Sequence, residues 1–166
     1  MLLPALALAL ALQTAAAQPA APAPKPFDCT APEYRQFDFW AGDWKVTTPD
    51  GKPAGNNTIE VILDGCALSE NWRGVKGGRG HSYNAYDRER KVWHQTWVDR
   101  DGTVLLLDGG LQDGKMVLSG PSGATLNRIT WEPHQDGSVR QLWETSADQG
   151  KTWAVAFDGL YRKQKR

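Results

Sequence analysis

The 166-residue sequence predicts an all-β protein: an up-and-down antiparallel meander of about ten strands, closed into a barrel and preceded by one short N-terminal helix. The chain contains eight Trp and seventeen Gly residues, a composition typical of short strands joined by tight turns. Asp-Gly pairs at 101–102, 113–114 and 136–137 separate segments of alternating polarity, which indicates β-hairpins. Closure is expected because a long meander would otherwise expose two unpaired edges.

The chain divides into three parts. Residues 1–17 are predicted to be a signal peptide, because an apolar run too short to cross a bilayer as a helix ends in Ala15-Ala16-Ala17, an A-x-A cleavage pattern. Residues 18–28 form a Pro/Ala-rich spacer, and residues 29–163 form a single β-barrel domain. We therefore expect an exported protein, periplasmic or secreted, whose mature chain does not insert into a membrane.

The two cysteines, Cys29 and Cys66, are predicted to form a disulfide, which is the usual state of paired cysteines in an exported protein. The alternative is a catalytic thiol. Neither cysteine has a neighbouring His or the spacing of metal ligands, so the sequence favours the disulfide.

The helix is expected over residues 31–39. A capping box runs from Thr30 to Glu33, and Tyr34, Phe37 and Trp40 recur every third residue. Alternating segments between turns then predict the strands, at 43–48, 56–63, 67–73, 81–87, 91–98, 103–110, 115–120, 126–132, 138–145 and 152–162.

Several predicted strands carry Trp beside a polar residue on the same face, as Gln95 and Trp97 do. Large aromatics mixed with polar groups on an inward face are typical of a ligand pocket. The predicted ligand-binding residues are Trp72, Ser82, Asn84, Tyr86, Trp93, Gln95, Trp97, Arg128, Gln141 and Trp143.

Two charged residues stand out, because strand alternation could bury both Glu70 and Arg128. An inward Arg128 would bind a carboxylate or phosphate group of the ligand. The alternative is a structural role, in which the two residues pair with each other or with Gln95 and Gln141.

No metal or cofactor is expected. His81, His94 and His134 lack i, i+2 spacing, and His94 shares its strand with two Trp residues on the opposite face. If those Trp residues point inward, His94 points outward, where it cannot serve as an axial haem ligand.

A turn motif closes the chain. Residues 146–153 match S-x-D-x-G-x-T-W, the Asp-box, in which Ser and Asp bond nearby backbone N–H groups and Trp packs beneath a hairpin. A sialidase would need several such repeats, so we interpret this single copy as a structural turn.

The segment Phe39-Trp40-Ala41-Gly42-Asp43-Trp44 contains G-x-W at the start of the first strand. Here the sequence resembles the calycin group of ligand-binding barrels, which includes the lipocalins. It is also similar to a family of uncharacterised exported bacterial proteins with an F-W-x-G-x-W opening, from about residue 37 to 162. The resemblance includes Glu70-Asn71-Trp72, the segment 93–99 and the Asp-box. It implies a calycin-like barrel and an exported setting, and no established reaction.

The formal net charge of zero argues against a nucleic-acid partner.

Three functions remain open. The first hypothesis is a barrel that binds a small, partly apolar molecule with an aromatic or acidic group. The second is an isomerase, hydratase or cyclase with Glu70 or Tyr86 as acid–base group. The third is a packed structural barrel with no ligand. We lean away from an enzyme, because the sequence contains no nucleophile motif, metal cluster or cofactor fingerprint.

Overall fold

A computed structural model of the chain describes residues 28–164. The predicted signal peptide at 1–17 and all of the predicted 18–28 spacer except Asp28 lie outside the described residues.

Ten antiparallel strands form one closed barrel in chain order, with the first strand paired to the last, so the predicted fold class is confirmed. The strands are β1 (Gly42–Thr47), β2 (Pro53–Ile62), β3 (Ala67–Gly74), β4 (Arg79–Asp87), β5 (Val92–Asp99), β6 (Val104–Gln112), β7 (Lys115–Ser122), β8 (Thr125–Pro133), β9 (Val139–Ser146) and β10 (Ala154–Lys163). Every predicted strand is present. The strands could be predicted because turn chemistry and alternation are local signals in the sequence.

The predicted helix is a pair of short 3-10 turns, Pro32–Arg35 and Asp38–Trp40. The prediction of a capping box is wrong. The Thr30 hydroxyl donates to Asp28 at 2.7 Å, and the first turn has no side-chain cap. Tertiary packing explains the short turns, because they bring Phe37 and Trp40 into the barrel, where both are fully buried.

These turns plug one end of the barrel, which we call the closed end. Phe37 stacks on Trp40 with 5.0 Å between ring centroids and meets Trp131 edge-on at 5.1 Å. The indole N–H of Trp44 donates to the Trp40 carbonyl at 2.9 Å. The G-x-W tryptophan therefore packs against the plug rather than into a binding site.

A disulfide between Cys29 and Cys66, 37 residues apart, ties the start of the domain to the beginning of β3. The predicted pairing is therefore confirmed. It holds the plug against the closed end, because Cys29 and the first 3-10 turn are only a few residues apart.

The hairpin turns have the chemistry that the sequence indicates. Asp113 (φ 48°) and Gly114 (φ 78°) both adopt positive φ between Gln112 and Lys115, as a two-residue hairpin of type I′ requires. In the Asp-box, the Gly150 N–H donates to the Ser146 hydroxyl oxygen at 2.8 Å. The Thr152 N–H donates to the Asp148 carboxylate, also at 2.8 Å.

Candidate functional site

A cavity of about 190 Å³ lies inside the barrel, toward the end opposite the plug, which we call the mouth. Each of three strands supplies a polar residue followed two positions later by a tryptophan. Because β3, β5 and β9 all run from the closed end toward the mouth, the polar residues form the floor and the tryptophans the upper wall. The lining residues are Glu70, Trp72, Gln95, Trp97, Leu105, Ile129, Gln141, Trp143, Ala156, Phe157 and Tyr161.

Glycines on neighbouring positions let the aromatic rings lie flat against the barrel wall. A Cβ atom at Gly80 would lie 2.2 Å from the ring of Trp97, and one at Gly55 would lie 2.6 Å from the ring of Trp72. The ring of Phe157 lies over Gly159 in the same way, at 2.6 Å. Because each ring occupies the space that a side chain at the neighbouring glycine would fill, the centre of the mouth stays open.

A continuous chain of hydrogen bonds, here called the polar network, crosses the floor from β2 to β5. The amide of Asn57 and the hydroxyl of Ser82 each donate to one carboxylate oxygen of Glu70, both at 2.7 Å. The Asn84 amide donates to the Ser82 hydroxyl oxygen at 2.9 Å, and the Gln95 amide donates to the Asn84 carbonyl oxygen at 2.8 Å. The network fixes the rotamers of Glu70 and Gln95 at the cavity floor.

On the other side of the floor, the Tyr161 hydroxyl donates to the side-chain carbonyl of Gln141. The Asn57 amide donates to the same hydroxyl oxygen at 3.5 Å. The Tyr161 proton is thus committed to Gln141, so this hydroxyl offers only its remaining lone-pair capacity to a ligand.

Glu70 is a buried carboxyl group whose hydrogen-bond partners are the neutral Asn57 and Ser82, and no cation among residues 28–164 pairs with it. Burial raises the pKa of Glu70 to about 7, and the hydrogen bonds from Ser82 and Asn57 offset only part of that effect. None of the described residues that line the cavity is basic. The same burial, together with the charge of Glu70, raises the pKa of Tyr161 above its ordinary value, so Tyr161 stays protonated.

The structure brings half of the predicted binding residues together at the cavity: Trp72, Gln95, Trp97, Gln141 and Trp143, joined by the acid–base candidate Glu70. Ser82 and Asn84 are buried beside it in the polar network. Sequence reasoning missed Asn57 of the polar network and five lining residues, Leu105, Ile129, Ala156, Phe157 and Tyr161. Phe157, Gly159 and Tyr161 recur at every second position of β10 and so share one face, a signal that could have identified the two aromatic residues.

The expected inward placement of Arg128 is wrong. Its guanidinium lies on the outer face, donates to Glu144 at 2.9 Å and stacks over the ring of Trp153 at 4.0 Å. The inner face of β8 is taken by Ile129 and Trp131, and Trp131 is required at the plug. Arg128 therefore pairs with Glu144, and not with Glu70 as the sequence analysis considered.

Tyr86 and Trp93 point inward but lie at the closed end, away from the cavity. The Tyr86 ring meets Tyr34 edge-on at 5.3 Å, and the Trp93 indole N–H donates to the Glu33 carbonyl at 3.2 Å. Tyr86 is thus not placed to act as an acid or base in the cavity, and Trp93 belongs to the plug.

His94 lies on the outer face with both ring nitrogens occupied. Nδ1 contacts Asp108 at 2.7 Å and Nε2 contacts Thr96 at 2.9 Å. Within residues 28–164, no three His, Cys, Asp or Glu side chains are grouped as metal ligands would be.

No protein-family model matches the chain, and no curated protein matches it at significant similarity. The resemblance to the calycin group therefore stays a prediction. No helix in the described part of the chain has the length and apolar character needed to cross a membrane.

Proposed function

We propose that this protein is an exported barrel that binds a small aromatic molecule in the cavity between the mouth and the polar network. The observation that carries the proposal is the aromatic wall of Trp72, Trp97, Trp143 and Phe157 above a polar floor. Apolar pockets with a few convergent polar groups are the usual form of small-molecule sites. A protein cavity of about 150 Å³ holds benzene, so about 190 Å³ suits one substituted aromatic ring. The cavity favours this function over a packed structural barrel.

The ligand is not expected to carry an acidic group. That possibility depended on an inward Arg128, and its guanidinium lies outside, paired with Glu144. An anion in the cavity would instead lie near Glu70, and none of the described lining residues is basic enough to neutralise it. We therefore keep the aromatic part of the prediction and drop the acidic part.

Export is supported by the disulfide, which persists in oxidising compartments, and by the predicted signal peptide at 1–17. Intact mass of protein recovered from the exported fraction tests it. We expect the mass of residues 18–166 less two hydrogens. An unprocessed mass, or one with free thiols, would contradict export.

Binding is tested by calorimetric titration with benzyl alcohol, a neutral one-ring probe. Trp97→Ala removes one wall of the cavity and is expected to weaken binding at least about tenfold, by analogy with other buried aromatic contacts. Tyr83→Ala is the matched control, because Tyr83 is an aromatic on the neighbouring strand whose side chain is exposed on the outer face. Equal affinities of Trp97→Ala and the wild type would contradict the proposed site.

A second candidate function is acid–base catalysis by Glu70, favoured by its pKa of about 7 inside an aromatic cavity. Under this hypothesis, turnover of a bound carbonyl or hydroxyl compound would be abolished by Glu70→Gln while folding stayed intact. Persistence of turnover in a folded Glu70→Gln variant would exclude it.

A further inference from the structure

The hydrogen-bonding capacity of the cavity floor is unbalanced. The two carboxylate oxygens of Glu70 each accept one hydrogen bond and retain further acceptor capacity. The Tyr161 hydroxyl donates its hydrogen bond to Gln141, so toward a ligand it can act only as an acceptor. Around Glu70 and Tyr161 a ligand group therefore meets acceptors, whereas the donors of the lining include the Gln141 amide and the Trp97 indole N–H. A ligand group rich in N–H donors complements the Glu70 side of the floor.

The charge distribution points the same way. Basic side chains on the strands around Glu70, such as Arg73 on β3 and His81 on β4, are exposed on the outer face. Tyr161 on β10 is the other titratable group among the described residues that line the cavity, and it remains neutral. Removing one carboxylate from water without a cation is unfavourable, and a cationic ligand would relieve that penalty.

The upper wall is also suited to a cation. The faces of Trp, Tyr and Phe rings attract ammonium groups, most strongly where water is excluded. Three tryptophans and one phenylalanine surround the route from the mouth to Glu70. An ammonium group would thus pass from ring faces to a carboxylate.

From this juxtaposition of an aromatic wall and a cation-free buried carboxylate, we infer that the ligand is a small aromatic amine whose ammonium group binds Glu70, with the ring between Trp97 and Trp143. The inference rests on the proposed function, since it names the ligand class of the same cavity. It adds that binding is coupled to release of the Glu70 proton.

The coupling sets the expected pH dependence. The pKa of Glu70 is raised to about 7 in the free protein, so the carboxyl is mostly protonated at pH 6. An ammonium ligand binds the ionised form, and the carboxyl proton passes to the buffer. Affinity for an amine should therefore rise about tenfold per pH unit up to about pH 7 and then level off. Affinity for a neutral ligand should stay constant or fall slightly.

The test compares three probes of nearly equal shape: benzylamine, benzyl alcohol and benzoate. Calorimetric titrations at pH 6, in buffers of different ionisation enthalpy, give the affinity and the number of protons released. We expect benzylamine to bind at least about tenfold more tightly than benzyl alcohol, with close to one proton released. Benzoate should bind most weakly. In Glu70→Gln, benzylamine should lose its preference and its proton release, while Glu60→Gln, a carboxylate exposed on the outer face of β2, should retain both.

The outcomes separate the inference from the proposed function. If benzyl alcohol binds as tightly as benzylamine, if benzoate binds best, or if benzylamine releases no proton, the amine inference is overturned and the binding function stands. If none of the three probes binds, the proposed function fails and the inference fails with it. The wild-type comparison and proton count decide the matter even if Glu70→Gln does not fold.

Discussion

Replacing Glu70 by Gln should change how stability depends on pH. The carboxyl of Glu70 has an ordinary pKa of 4.5 and a pKa of about 7 in the folded protein, a difference of about 2.5 units that corresponds to about 3 kcal/mol. Because the folded state binds the proton more tightly, this group's contribution to stability is full below pH 4.5. That contribution is lost as the pH rises toward 7. A neutral Gln has no such dependence.

The free energy of unfolding of Glu70→Gln, minus that of the wild type, should therefore increase by about 3 kcal/mol between pH 4.5 and 7 and stay constant above. A constant offset from altered hydrogen bonds to Asn57 and Ser82 does not affect this change. Urea unfolding followed by tryptophan fluorescence, with the disulfide intact, measures it. Parallel stability curves for the two proteins would refute the assignment of Glu70 as a buried, unpaired acid. Glu60→Gln should run parallel to the wild type.

Three further changes should have measurable effects. Replacing both Cys29 and Cys66 by Ala opens a 37-residue loop and should lower stability by about 4 kcal/mol in non-reducing urea titrations; an unchanged midpoint would contradict it. Gly80→Ala places a methyl group 2.2 Å from Trp97 and should cost about 1–3 kcal/mol and weaken benzyl alcohol binding. Gly110→Ala adds a methyl group that no other described part of the chain approaches within 4 Å, so it should change neither stability nor binding. Ser146→Ala leaves the Gly150 N–H of the Asp-box without its acceptor and should cost about 1–3 kcal/mol. The exposed Ser119→Ala should change stability by less than about 0.5 kcal/mol.

The fold could be predicted because its signals are local. An Asp-Gly pair such as Asp113-Gly114 specifies a hairpin through backbone conformations that few other residues adopt. Alternation then specifies each strand. The helix was less predictable, since the capping pattern at Thr30 competes with packing of Phe37 and Trp40 into the barrel.

The site was predictable where a strand carries tryptophan and a polar residue on one face, as β5 does with Gln95 and Trp97. Alternation defines two faces of a strand and does not say which one is inside, so Arg128 was placed on the wrong side. It also carries no information on depth: Trp93 faces inward but lies at the plug. Depth follows from where the 3-10 turns pack, which depends on contacts between residues distant in sequence.

The measurement that tests the binding site most directly is an NMR titration of the tryptophan indole N–H signals with benzyl alcohol. The eight tryptophans divide by position, so they report where a ligand lies. Three line the cavity, namely Trp72, Trp97 and Trp143. Four lie at the closed end, namely Trp40, Trp44, Trp93 and Trp131. Trp153 lies on the outer face.

We expect saturable shifts of the three cavity signals, with the closed-end signals and the Trp153 signal unchanged. No shift at the three cavity tryptophans, or shifts confined to Trp153 or the closed end, would contradict a ligand site at the mouth of the barrel.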